Sequence, residues 1–447
     1  MPKIAFIGAG STIFMKNIVG DALQFESLSD ATIALMDIDR KRLAESETVA
    51  KTLARLAGAG ARIEAHTDQR RCIEGADFVI VAFQIGGYRP ATVTDFDVPK
   101  RFGLRQTIGD TMGVGGIMRA LRTVPHLWRL ADDMRAVCPN ALLLQYVNPM
   151  AINTWALAER YPDIRQVGLC HSVQNTVEEL AHDLDMEAGD FRYRVAGINH
   201  VAFFLKLEDK DGRDLYPALF RGYREGRLPK PPLLMPRCPN MVRYEVMAQL
   251  GYFCTESSEH LAEYVPWFIK EGRDDLIERF GIPLDEYPAR CKEQAADWAA
   301  QAEAHLKGEG IELKKSREFA ADLMDAVVTD RSHTIYGNLP NSGQIPQLPL
   351  GAAVETPCLV DANGIAPTLV TDIPPQLIAL MRTQINVQEL AVRALVDETI
   401  EYAYHAAMMD PHTAAELDLG QIRSLMDALI AEHGDWLPDW AHARRVA

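Results

Sequence analysis

A short apolar run, Lys3–Ile7, breaks at Gly8-Ala9-Gly10-Ser11 before a helix-like stretch, and a second apolar run, Ala31–Met36, ends on Asp37. No other feature constrains the fold as strongly. Glycines between a strand and a helix let the backbone approach a pyrophosphate, and the helix N-terminus favours its negative charge. An acid closing the second strand accepts hydrogen bonds from ribose hydroxyls and repels a 2′-phosphate, so the pattern favours NAD over NADP. Gly8, Gly10, Ser11 and Asp37 are therefore the candidate cofactor-binding residues. Ile13 stands at the third position of Gly-x-Gly-x-x-Gly, so the fingerprint is incomplete. Alone, Asp37 also reads as a capping acid for a helix expected over Arg40–Leu56.

The alternation continues. Phe78–Phe83, Leu142–Val147 and Gln166–Leu169 read as buried strands, and Gly116–Val137 as a helix that Pro125 should kink or divide. Strands alternating with helices predict an α/β fold, a doubly wound parallel sheet covered on both faces. After Ala196 the texture changes. Asn199–Leu207 reads as an antiparallel-type strand with a turn at Asp209-Lys210-Asp211-Gly212, and the proline-rich Leu228–Asn240 as a loop. Long helical patterns follow at Tyr287–Leu306 and Pro375–Ile400. The 447 residues exceed one compact core, and the expected division is a Rossmann-type domain over 1–195 and an α+β domain over 196–447.

Charge narrows the partners. A net charge of −16 repels phosphate backbones and anionic lipid, which argues against nucleic acid and membranes. No apolar stretch approaches the roughly 20 residues that span a bilayer. The N-terminus reads as a first strand, not a signal peptide. The seven cysteines are odd in number, widely spaced and free of Cys-x-x-Cys, which predicts no disulfide framework and a reducing cytoplasm.

In doubly wound sheets, ligands bind beyond the carboxyl ends of the strands. Asn148 ends the run Leu142–Val147, and Cys170-His171 ends Gln166–Leu169. Asp110 lies in the glycine-rich stretch Gly109–Gly116, and His200 in Gly197-Ile198-Asn199-His200. Cys and His are good ligands for a divalent metal. Their spacing matches no recognised signature, however. By default Cys170 reads as a small buried hydrophobe, His200 as a strand-end histidine, Asn148-Pro149 as a turn and Asp110 as a solvated loop acid. A hydroxyacid dehydrogenase of the malate or lactate type is the competing enzyme, but its Gly-x-His-Gly segment is missing.

These segments together resemble glycoside hydrolase family 4, and within it the bacterial α-galactosidases (melibiases). The resemblance runs nearly end to end. It is carried by Phe6–Phe14, Val81–Tyr88, Gly116–Thr123, Tyr146–Met150, Val167–Ser172, Ala196–His200, Thr255–His260, Leu359–Ile365 and His405–Pro411. It implies a fold similar to lactate and malate dehydrogenase, NAD and usually Mn²⁺ (or another divalent cation) as cofactors, and often a need for a reducing agent. It implies that Cys170 and His200 ligate the metal and that Asn148 lies against substrate, with Asn148-Pro149 a cis peptide. Such relatives form dimers or tetramers, so a homodimer or homotetramer is expected.

The family is a known exception to hydrolysis by two flanking carboxylates. The resemblance implies that NAD⁺ takes a hydride from carbon 3 of the sugar, leaving a ketone that the metal polarises. The proton at carbon 2 becomes removable, the aglycone leaves, water adds, and the hydride returns. His171 is the expected acid for the leaving oxygen, because histidine changes protonation near neutrality. The alternative role for His171 is to orient Cys170. Tyr264 is the expected base, with Glu256, Glu259 and His260 as rivals. Asp110 is expected to contact substrate or assist proton transfer. An α-galactoside is the expected substrate. An α-galacturonide or α-glucoside is the alternative within the family, and a sugar or hydroxyacid dehydrogenase outside it. An anionic sugar would require an arginine or lysine in the pocket, with Arg119 and Arg122 as candidates.

Overall fold

The computed structural model describes residues 1–11, 14–234 and 237–443. Ile13, and with it the third position of the glycine fingerprint, lies outside the described residues, as do two residues of the proline-rich stretch.

The described residues form eleven strands in one mixed sheet: β1 (Lys3–Ile7), β2 (Thr32–Met36), β3 (Arg62–His66), β4 (Phe78–Val81), β5 (Leu142–Gln145), β6 (Gln166–Gly168), β7 (Arg192–Ile198), β8 (Val201–Glu208), β9 (His333–Pro340), β10 (Ala353–Asp361) and β11 (Gly364–Pro367). Their order is β3-β2-β1-β4-β5-β6-β9-β10-β7-β8, with β11 on β10. The first six pair in parallel. From β6 onward every pairing is antiparallel. The apolar runs of β4 and β5 are buried throughout, as strands covered by helices on both faces must be. Apolar clusters on either face include Val79 and Leu143 on one side, Ile80 and Leu144 on the other.

Strands β9 and β10 come from the second half of the chain but lie between β6 and β7. One rung therefore runs Gly168, Asn338, Glu355, Gly197 across four strands. The division expected at 195/196 falls inside β7, and the two halves share one sheet.

Two local expectations fail. The helix Gly113–Val137 runs unbroken through Pro125. A proline inside a helix costs about 3 kcal/mol, and burial of apolar side chains along this helix, Val114 to Met134, outweighs it. The helix expected to reach Ile400 stops at Val396, because Glu398 turns left-handed with φ 50° before the next helix, Glu401–Met409.

The last long helix, Leu419–His433, is fastened to the first half by a buried ionic knot. Arg122 donates to both carboxylate oxygens of Asp95 at 3.0 and 2.6 Å, and His433 Nε2 lies 2.8 Å from Asp95 Oδ1.

Candidate functional site

The turn after β1 is tight. Gly8 has φ 86°, and a Cβ there would meet the Ala82 carbonyl at 2.5 Å. A Cβ on Gly10 would fall 2.6 Å from Asp37 Oδ2, the atom that accepts the Gly10 amide at 2.7 Å. Ser11 closes the turn by donating its amide to the Gly8 carbonyl at 3.0 Å. Asp37 is thus tied to the glycine turn. It is Asp39 that caps the helix Arg40–Ala57, accepting the amides of Lys41 and Arg42. The Asp37 carboxylate has further lone pairs to accept ribose hydroxyls. Turn, acid and the helix Phe14–Ala22 behind them form the cradle a dinucleotide needs.

Beyond the carboxyl end of β6, Cys170 meets His200 from the β7–β8 turn, with Sγ and Nε2 3.5 Å apart. Glu256 completes a triangle, its Oε2 3.3 Å from His200 Nε2 and 3.9 Å from Cys170 Sγ. Three donors within 4.8 Å of one another can hold one cation. Two of the three have strained backbones, His200 with φ 65° and Glu256 with φ 68°. Such strain, about 1–3 kcal/mol per residue, persists where the surroundings enforce a functional geometry. Burial, together with the carboxylates of Glu256 and Glu355, pushes the Cys170 thiol far up. Burial alone would raise the Glu256 carboxyl, but the imidazoles of His200, His260 and His171 outweigh it and hold it at about 2. A thiol, an imidazole and an ionised carboxylate fit a divalent cation.

Tyr264 is buried, with its phenol oxygen 3.0 Å from His200 Nδ1. Among the rivals, Glu256 belongs to the donor triangle, and Glu259 is paired with Arg290 at 2.7 Å. His260 has its Nδ1 2.8 Å from Ser257 Oγ and is pushed down to about 4 by burial. Asp110 is not a solvated loop acid. It is buried, accepts Asn148 Nδ2 at 3.2 Å and pairs with Arg119 Nη1 at 3.3 Å. Burial opposes its ionisation, but Arg119, His260, Thr111 and His200 hold it below the ordinary carboxylate range. Arg119 also donates to the Asn148 carbonyl at 3.2 Å and to the Tyr287 hydroxyl at 3.3 Å. The Asn148–Pro149 peptide is cis. His171 turns its Nδ1 toward Glu318 at 3.7 Å and not back to Cys170. Arg122 belongs to the knot with Asp95.

Sequence reasoning placed Cys170 and His200 together. It gave Glu256 only as a rival base, and it did not name Tyr287 or Glu318 as site residues. A left-handed glutamate between Thr255 and Ser257 leaves no mark in the sequence.

A cofactor-type glycine turn and a cluster of metal-type donors at the strand ends of one sheet define a dehydrogenase-like fold equipped for redox and Lewis-acid chemistry. The family 4 glycosyl hydrolase profile matches residues 3–186, and the profile of that family's C-terminal domain matches residues 195–413. The chain belongs to glycosyl hydrolase family 4. It is 45% identical to the α-galactosidase of Bacillus subtilis (strain 168) over 440 residues, covering 98% of this chain and 100% of that one. A solved putative glucosidase of Bacillus subtilis superposes with TM-score 0.87 at 26% identity, covering 96% of this chain and 99% of the other. A 6-phospho-α-glucosidase from gut microorganisms, solved with NAD and Mn²⁺, gives TM-score 0.81 at 21% identity, covering 98% and 99%. Malate dehydrogenase of Plasmodium falciparum shares the fold more distantly, with TM-score 0.51 at 12% identity. No helix of the described residues is long and apolar enough to cross a membrane.

Proposed function

We propose that this protein hydrolyses α-galactosides, using NAD and a divalent cation, with Mn²⁺ the expected metal. The observation that carries the reading is the Cys170–His200–Glu256 triangle lying beside Asp110 and Asn148, in a chain 45% identical to an α-galactosidase. The related 6-phospho-α-glucosidase solved with NAD and Mn²⁺ supports the cofactors. When bound, the dinucleotide supplies a reversible hydride acceptor and the cation a Lewis acid.

The chain's own residues do the rest. Gly8, Gly10 and Ser11 leave room for the pyrophosphate, and Asp37 accepts the ribose hydroxyls. Cys170, His200 and Glu256 ligate the metal. Asn148 and Asp110 bind sugar hydroxyls, held in place by Arg119. Tyr264 removes the proton at carbon 2. For Nε2 of His200 to face the metal, its proton sits on Nδ1, where it donates to the Tyr264 oxygen. Burial and the carboxylates of Glu263, Asp110 and Glu256 push the Tyr264 phenol well above its ordinary value, so its service as a base would need the charge of the bound cation to offset them. His171 gives a proton to the departing oxygen. Arg119 is already engaged by Asp110, Asn148 and Tyr287, which favours a neutral sugar over a galacturonide.

The test is cleavage of 4-nitrophenyl α-galactoside after verified removal of metal and nucleotide, with each restored singly and together under reducing conditions. Activity only with both is expected. Activity with neither would overturn the redox reading. NADH accumulating in step with product would instead mark a dehydrogenase. Turnover of galacturonides or glucosides but not galactosides would move the substrate within the family.

A further inference from the structure

Glu318 lies just before the helix Ala320–Thr329, about 150 residues further along the chain than the strand end it faces. It is only 6% exposed. Its Oε1 stands 3.7 Å from His171 Nδ1, and the buried Tyr146 hydroxyl is its other polar neighbour. His171 Nδ1 is itself buried without a hydrogen bond, although the His171 side chain as a whole is 36% exposed. Nδ1 of the imidazole therefore faces a sequestered carboxylate while part of the ring remains exposed. The ring is confined on a further side by Phe14, whose centroid is 6.4 Å from it and 5.3 Å from that of Tyr146. A buried acid is retained where it has a cationic or donor partner. The pair is longer than a hydrogen bond, as catalytic pairs often are before substrate arrives.

We propose that Glu318 is a positioning residue for His171. It holds Nδ1–H, so that Nε2 carries the proton that reaches the departing glycosidic oxygen. The inference rests on the reading of His171 as the acid. As the bond from carbon 1 to oxygen breaks, its electron pair stays on oxygen and the Nε2 proton follows. The imidazole keeps its Nδ1–H against Glu318, which fixes the tautomer and aims the ring.

A leaving group that is stable as an anion does not need this proton, and a sugar alkoxide does. The experiment compares 4-nitrophenyl α-galactoside with melibiose in the NAD- and Mn²⁺-loaded enzyme. The ratio of kcat/KM on the two substrates does not depend on how much of a variant folds. For Glu318→Gln, melibiose hydrolysis is expected to fall at least about 10-fold more than aryl hydrolysis, with Glu318→Asp recovering part of the difference. His171→Ala should show the same bias, more strongly. An equal loss on both substrates for Glu318→Gln, with the bias present in His171→Ala, overturns the positioning role alone. No bias in His171→Ala overturns the acid reading and the inference with it.

Discussion

The hydroxyl of Tyr264 stands 3.0 Å from Nδ1 of His200, whose Nε2 faces Cys170 at 3.5 Å. One imidazole thus links the expected base to the expected metal. Tyr264→Phe removes both the base and the acceptor that orients a ligand. With saturating Mn²⁺, kcat should fall by roughly 10²- to 10⁴-fold. The Mn²⁺ concentration for half-maximal binding should rise by about 10-fold or more. A variant with near-native kcat at high Mn²⁺ would reduce Tyr264 to the orienting role.

Glu256 is the least anticipated of the three donors. Glu256→Gln keeps the shape and removes the charge, and Mn²⁺ affinity should drop by about 10- to 100-fold. Cys170→Ser and His200→Ala are the reference variants. Titration calorimetry on the NAD-loaded protein reads all three. Unchanged affinity in Glu256→Gln would leave only two protein ligands.

Glu355 should impose a pH dependence on stability. Burial, reinforced by Glu256, pushes its carboxyl up to about 8. Below its ordinary value near 4.5 the group is protonated whether the chain is folded or not. Between there and about 8 the folded protein keeps a proton that the unfolded chain has released, so rising pH lowers stability. Above that range the loss levels off. Urea melts of metal-free protein should therefore show Glu355→Gln gaining on the parent between about pH 5 and pH 8. Parallel curves for the two proteins would place the ionisation elsewhere.

The Asp95 knot should matter for stability and not for chemistry. Asp95→Asn leaves the Arg122 charge buried without its counter-ion, a loss of about 3–5 kcal/mol. Activity per folded molecule should stay native. Denaturation midpoints together with active-site titration separate the two effects.

Much of the cofactor half was legible because its signals are local. The Gly8 turn, the strand before it and Asp37 are fixed by steric rules acting over a few residues. Cys170, His171 and Asn148 stood out at strand ends, where parallel sheets bind ligands, but their roles came only from the family resemblance. The rest depends on distant partners. Thr334-Ile335-Tyr336 in β9, His333–Pro340, favour a strand locally, but its place beside β6, where Asn338 pairs with Gly168, is a long-range choice that local propensity does not encode. Glu318 and Glu256 reach the site through the same long-range folding. Pro125 misled because propensity is a local quantity and burial along Gly113–Val137 is not.

The rung Gly168–Asn338–Glu355–Gly197 sets an order on biosynthesis. Both Cys170 and His200 have left the ribosome once about 240 residues are made, allowing roughly 40 residues for the exit tunnel. The two strands that space them follow more than 100 residues later. A polypeptide ending before β9 holds all three metal donors, Cys170, His200 and Glu256, yet lacks the two strands that set Cys170 and His200 at ligating distance. Prematurely terminated chains should therefore leave cellular manganese alone. A fragment stopped at residue 330 that bound Mn²⁺ as the full chain does would show otherwise.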